Sequence, residues 1–238
     1  METIATTREI LVVQNADLVE MVRPFYDETM EYHNFEGHIL GTWESARNLA
    51  KLCINAGVAV NLDVTDRAVL LHDADVHKPL TRRFATLERR SAAIARRVLR
   101  EFGDSEDIIK QSSDSIIATT YGEKPRTIES AIVKRADILN VGQDYVTFIT
   151  NSIRVLREQF RLRGLQFDRD TVDAWVKTTA SYLTGYLRDD EPFGEFDLSE
   201  IDPSCSIFKK TGLQNISQFM SETYDSIHDR LHGSTVDT

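Results

Sequence analysis

Apolar residues recur along most of this chain at the spacing of one face of an α-helix, and the residues that would interrupt a helix stand between those runs. Ile39, Leu40, Trp43, Ala46, Leu49, Ala50 and Cys53 follow an i, i+3, i+4, i+7 pattern, with Gly57 just beyond. Leu87, Ser91, Ile94, Ala95, Val98 and Leu99 make the inner face of a helix expected over 86–102, which Gly103 ends. Further helices are expected over 16–30, 64–73, 105–119, 127–139, 144–163 and 170–187, and a last one over 213–231. Thr65 or Asp66 is expected to cap the helix at 64, and Thr127 its own. No run alternates apolar and polar residues as a half-buried strand would. With only 5 Pro and 11 Gly in 238 residues, the pattern leaves one fold class, all-α, as a helical bundle with short connections.

Charge narrows the partners. The net charge is −10, and an acidic surface lacks the basic footprint of broad nucleic-acid binding. A local arginine cluster can still hold a small anion. Cys53 and Cys205 make no disulfide framework, and Cys53 reads as a buried thiol. Residues 1–13 lack the basic start and apolar core of a signal peptide, and no apolar run approaches the roughly 20 residues of a membrane helix. The expected location is therefore the cytoplasm, with no membrane contact. Residues 1–188 read as one helical domain. Residues 189–238 read as an acidic linker followed by a C-terminal helical extension. The linker, 189–202, carries Asp189, Asp190, Glu191, Glu195, Asp197, Glu200 and Asp202. His228 and His232 read as solvated tail residues.

Four polar signals interrupt the apolar background: Tyr32-His33-Asn34-Phe35-Glu36-Gly37-His38, then His72-Asp73, then Glu88-Arg89-Arg90-Ser91-Ala92, then Asp137. His72-Asp73 follows directly on the apolar Ala68-Val69-Leu70-Leu71. Burying an ionised carboxylate beside an imidazole is costly unless a cation compensates. A candidate histidine precedes the pair and a candidate Asp follows it, each on its own amphipathic helix, and a bundle can bring such side chains to one point. Two imidazoles and two carboxylates suit one divalent ion, Mn, Mg, Fe, Co, Ni or Zn. The alternative is that His38 and Asp137 are ordinary, partly exposed residues.

The order His, His-Asp, Asp resembles the HD superfamily of metal-dependent phosphohydrolases. More narrowly, the chain resembles a bacterial branch of predicted HD phosphohydrolases. That branch carries a Tyr-His-x-x-Glu-His opening, a His-Asp at a helix end, a Glu-x-x-Ser-Ala helix and an Asp-x-x-x-Leu-Gly segment. These correspond to Tyr32 to His38, His72-Asp73, Glu88 to Ala92 and Asp137 to Gly142, so the resemblance spans 32–187. It implies an HD-domain helical bundle in which His38, His72, Asp73 and Asp137 bind the metal. It also implies hydrolysis of a small phosphorylated substrate, a phosphomonoester or phosphodiester, nucleotides included, by metal-activated water. Two departures stand out. Gly37 lengthens the opening motif by one residue, so His33 and His38 would not share an α-helical face. If Gly37 does not break the helix and restore the aim of His38, His33 becomes the ligand. Asn140-Val141-Gly142 stands where the branch has Leu-Gly after an apolar residue.

Further candidates surround this set. His33 is read as a general acid or substrate contact, or else as a hydrogen-bonded structural histidine. Glu88, by resemblance, faces the metal site as a base or orienter, or else pairs with a neighbouring arginine. His77 and Lys78 lie in an expected loop at the site's mouth, where they would meet phosphate or solvent. Arg82 and Arg83 are the arginines best placed for phosphate, the rest forming a solvated helix face. A dinuclear oxygenase would need extra histidines between the pair and Asp137, and only His77 lies there. The remaining alternatives are a non-catalytic HD-fold module that binds a nucleotide or partner, and a plain helical interaction protein. The sequence sets no oligomeric state.

Overall fold

The computed structural model describes residues 6–188, 198, 201 and 203–232. The described residues are helices and connections with no strand. The helices are α1 (Thr7–Gln14), α2 (Ala16–Val22), α3 (Leu40–Asn55), α4 (Leu62–Leu71), α5 (Leu87–Phe102), α6 (Glu106–Ala118), α7 (Ile128–Asp137), α8 (Tyr145–Arg163), α9 (Arg169–Arg188), α10 (Pro203–Phe219) and α11 (Tyr224–His232). Shorter turns occupy Arg23–Phe25, Phe35–Ile39 and Leu139–Gly142. The all-α class expected from periodicity holds.

Polar side chains set most helix starts. Thr86, Ser105, Thr127 and Asp144 each accept a backbone N–H from the first turn of α5, α6, α7 and α8. The start of α4 differs from expectation. Asn61 caps it, accepting from the N–H of Asp63 and Val64, while Thr65 and Asp66 lie buried inside the helix. The helix expected over 16–30 stops at Val22, because Pro24 removes a backbone donor and forces a 3-10 turn. The last helix, expected over 213–231, is two helices, α10 and α11. Thr223 restarts the chain by accepting the N–H of Ser226. Helix α1 was not anticipated, although Thr6 and Glu9 cap each other reciprocally at its start.

The apolar faces make two clusters. One is built by α1 to α7 around Trp43, Phe35, Leu70, Leu99, Ile116 and Ile132. The other joins α8, α9, α10 and α11 around Phe148, Leu156, Val176 and Phe219. Asn215 of α10 donates to the carbonyls of Val141 and Gln143, and Phe208 packs against Gly142 so closely that a Cβ would overlap its ring. These contacts pin the 139–142 turn just after Asp137. The boundary expected at 188–189 and most of the acidic segment lie outside the described residues. His228, expected as a solvated residue, packs against Tyr224 and Phe167. No helix among the described residues is long and apolar enough to cross a membrane.

Candidate metal centre

Four side chains converge where α3, α4 and α7 meet. His38 enters from the turn before α3, His72 and Asp73 follow the end of α4, and Asp137 ends α7. The extra residue in the opening motif is absorbed by a π-turn. The Ile39 N–H bonds the Asn34 carbonyl, five residues back. That wider turn aims His38 at the centre despite the insertion, so His38, not His33, joins the cluster. Asn34 caps the turn by accepting the Gly37 N–H at 2.6 Å. A π-turn absorbs one residue without rotating its flanks, so deleting Gly37 is expected to restore an ordinary α-turn and leave metal content unchanged. Metal analysis of the purified deletion protein checks this, and loss of the metal would sink the account.

The geometry suits one cation. His38 Nε2 lies 3.2 Å from His72 Nε2, 3.1 Å from Asp73 Oδ2 and 3.6 Å from Asp137 Oδ1. His72 Nε2 lies 3.2 Å from each of the two carboxylate oxygens. Donors about 2.1 Å from one ion and at right angles would be about 3.0 Å apart. The His72 tautomer is set from behind. A carbonyl only accepts, so the 2.7 Å bond to Val69 O places the proton on Nδ1 and turns the Nε2 lone pair inward. The electrostatics agree. Burial alone would depress both imidazoles, but Asp73 and Asp137 outweigh it and raise His38, and raise His72 strongly. Burial would raise the two carboxyls, yet the histidines hold Asp73 well below the usual range and Asp137 at about 2. Positive charge is wanted at this point, and two imidazoles and two carboxylates are a donor set that a divalent ion fits.

The loop after the ligands is clamped by α5, which gives the Glu-x-x-Ser-Ala segment a physical role. Arg90 is buried and donates to the carbonyls of Asp75, Lys78 and Pro79. Ser91 donates to the Ala74 carbonyl. Asp75 takes a left-handed conformation, with φ of 62°. Glu88 is half-buried and makes no ion pair among the described residues. Its charge acts on Tyr182 and Tyr186, two phenols that also feel Asp137.

His33 stands beside the cluster, its ring 5.4 Å from that of His38. Its Nδ1 bonds Glu158 Oε2 at 2.6 Å, and Glu158 also accepts the backbone N–H of Tyr32 and His33. Burial would raise the Glu158 carboxyl, but these bonds hold it below the usual range. A carboxylate only accepts, so Nδ1 of His33 carries the proton and Nε2 is left for substrate. Glu158 was missed in the sequence, being an ordinary acid on α8 with no local motif.

The remaining candidates are spread out. His77 is half-buried, and burial lowers its imidazole. Lys78 pairs with Asp75 at 2.6 Å. Arg82 and Arg83 are exposed, Arg83 lying over Phe84. None of these four lines the cavity of about 390 Å³ that borders His38 and Asp137. Its cations are Arg8 and Arg154, which the sequence did not single out. Arg8 bonds the Glu36 carbonyl and Glu44, whereas Arg154 meets no carboxylate among the described residues.

No family model matches the sequence, and no curated protein matches it at a significant level. In structure the chain is similar to the phosphodiesterase domain of the rhodopsin phosphodiesterase of Salpingoeca rosetta, with a TM-score of 0.58. The likeness covers 95% of this chain and 87% of that one at 14% identity. It shows a shared fold.

Proposed function

We propose that the chain is an HD-type phosphohydrolase that binds one divalent cation through His38, His72, Asp73 and Asp137 and cleaves a phosphate ester. The convergence of these four donors on one point carries the reading. The shared fold with a phosphodiesterase domain supports it. When bound, the cation supplies a nucleophilic water near neutral pH and offsets charge on the phosphoryl group.

The chain's residues do the rest. Val69 and the clamp from Arg90 and Ser91 keep His72 and Asp73 aimed inward. Arg154 binds the phosphate at the cavity rim, and Glu88, whose charge reaches the same Tyr182 and Tyr186 that feel Asp137, is a further carboxylate for orienting water. In the imidazolium form, with Nδ1–H held by Glu158, His33 gives its Nε2 proton to the leaving oxygen and returns to the neutral Nδ1–H tautomer. His33→Gln is therefore expected to slow hydrolysis of an alkyl ester by about 10²-fold, and that of a nitrophenyl ester far less. A good leaving group needs no proton, so equal losses on both would remove His33 from this role.

The overall reading is tested by stripping the protein of metal and adding back Mn, Mg, Fe, Co, Ni or Zn. Hydrolysis is then followed on phosphomonoester, phosphodiester and nucleotide substrates. Metal-dependent turnover is expected. Bound metal with no turnover on any ester would favour a regulatory module instead.

A further inference from the structure

A second cavity, of about 650 Å³, opens between α8 and α9 and shares Tyr32, Asp137 and Asn140 with the metal-side cavity. None of the metal ligands comes from α8 or α9. The wall differs in kind from the metal-side wall: Trp175 and the exposed Tyr182 line it, with the edges of the buried Phe148 and Phe160 behind them. One polar group is held in place within it. Trp175 Nε1–H donates to Gln159 Oε1 at 3.0 Å. An indole N–H can only donate, so this bond fixes the amide, with its oxygen toward Trp175 and its NH2 turned away. That NH2 has no partner among the described residues. Arg163 lines the same cavity and meets no carboxylate among the described residues.

We propose that this cavity is the subsite for a flat heteroaromatic group of the substrate, a nucleobase that presents an acceptor to Gln159 Nε2. The phosphate then lies on the side of Asp137, the residue common to both cavities. The argument is one of chemical match. A bare phosphate has no use for aromatic walls and a ribose phosphate brings only a small C–H face to them, whereas every base has a π-face that stacks on them. The volume falls in the range of pockets that enclose small molecules. A donor amide oriented from behind reads an edge rather than merely filling space. The orientation of the substrate rests on the phosphohydrolase reading, while the base subsite itself can be tested without turnover.

The first experiment is a fluorescence titration of the whole protein with adenosine, guanosine, cytidine and uridine, with ribose 5-phosphate as control. Trp43 is fully buried and bonded to Asp66, so quenching reports Trp175. At least one nucleoside is expected to quench and ribose 5-phosphate is not. Gln159→Leu is expected to weaken that nucleoside about tenfold while keeping the metal content of the wild type. In parallel, kcat/KM for the matching nucleoside phosphate is expected to exceed that for ribose 5-phosphate about tenfold or more. Quenching without hydrolysis of any ester would uphold the subsite and overturn only the hydrolase reading. Metal-dependent hydrolysis that treats nucleoside and ribose phosphates alike, with no quenching, would overturn the subsite and leave the hydrolase reading standing.

Discussion

Asp73→Ala is expected to strip the cation from the protein and to lower kcat/KM on any phosphoester by about 10³-fold or more. Both carboxylates approach both imidazoles, and Asp73 is the nearer to His38, at 3.1 Å against 3.6 Å for Asp137, with 3.2 Å from each to His72. Without it the two Nε2 atoms still face each other at 3.2 Å, with Asp137 alone to balance a divalent ion. The loop itself should survive. Its backbone is held by Arg90 and Ser91, and Asp75 N–H still bonds the Phe25 carbonyl. The expected protein is thus folded, metal-poor and inactive. Elemental analysis, far-UV circular dichroism and kinetics on the same preparation separate these effects. A variant that keeps both metal and turnover would show that the centre is not built on Asp73.

The helices and the His72-Asp73 pair were legible in the sequence for a local reason, whereas His38 and Asp137 were singled out by resemblance. A capping oxygen directly before an apolar stripe marks a helix start, as at Thr86, Ser105, Thr127 and Asp144. His72-Asp73 announced itself by following a fully buried run. Where local chemistry had two solutions, the pattern misled. Thr65 and Asp66 have the side chains of caps, but α4 begins earlier at Asn61 and buries both. The insertion at Gly37 could break or bulge the turn, and periodicity counts residues without choosing between them. What sequence could not show were partners fixed only by packing. Glu158 reaches His33 because α8 lies across the Tyr32 segment, supported by Arg161 bonding Thr29. Arg8 and Arg154 reach the cavity from helices far apart in the chain. Conversely, the arginine-rich helix drew attention by composition, yet its buried member, Arg90, holds a loop.

Asp66→Ala is expected to be the most destabilising single change outside the metal centre, by about 3–5 kcal/mol. Asp66 is 1% exposed and sits in α4, where it accepts from Trp43 Nε1 at 2.7 Å and from Nε and Nη2 of Arg47, both on α3. Alanine would leave an indole N–H and a partly buried guanidinium without their acceptor. For a chain of this size the loss corresponds to roughly a 10 °C fall in melting temperature. Burial raises the Asp66 carboxyl above its usual range even though Arg47 and Trp43 lower it. The desolvation of this carboxylate therefore outweighs the attraction that its partners supply. Because the cost of the single change lies in the two donors left without an acceptor, removing all three polar groups together is expected to cost less than removing one. Trp43→Phe, Arg47→Met and Asp66→Leu combined are expected to recover most of the loss in urea unfolding. A single Asp66→Ala costing less than about 1 kcal/mol would contradict this account. The consequence reaches the site. Helix α3 follows His38 and α4 precedes His72, so loosening their contact should also weaken metal binding. The combined variant, with the helices rejoined by apolar packing, is expected to bind metal more tightly than Asp66→Ala although it is further from the original sequence.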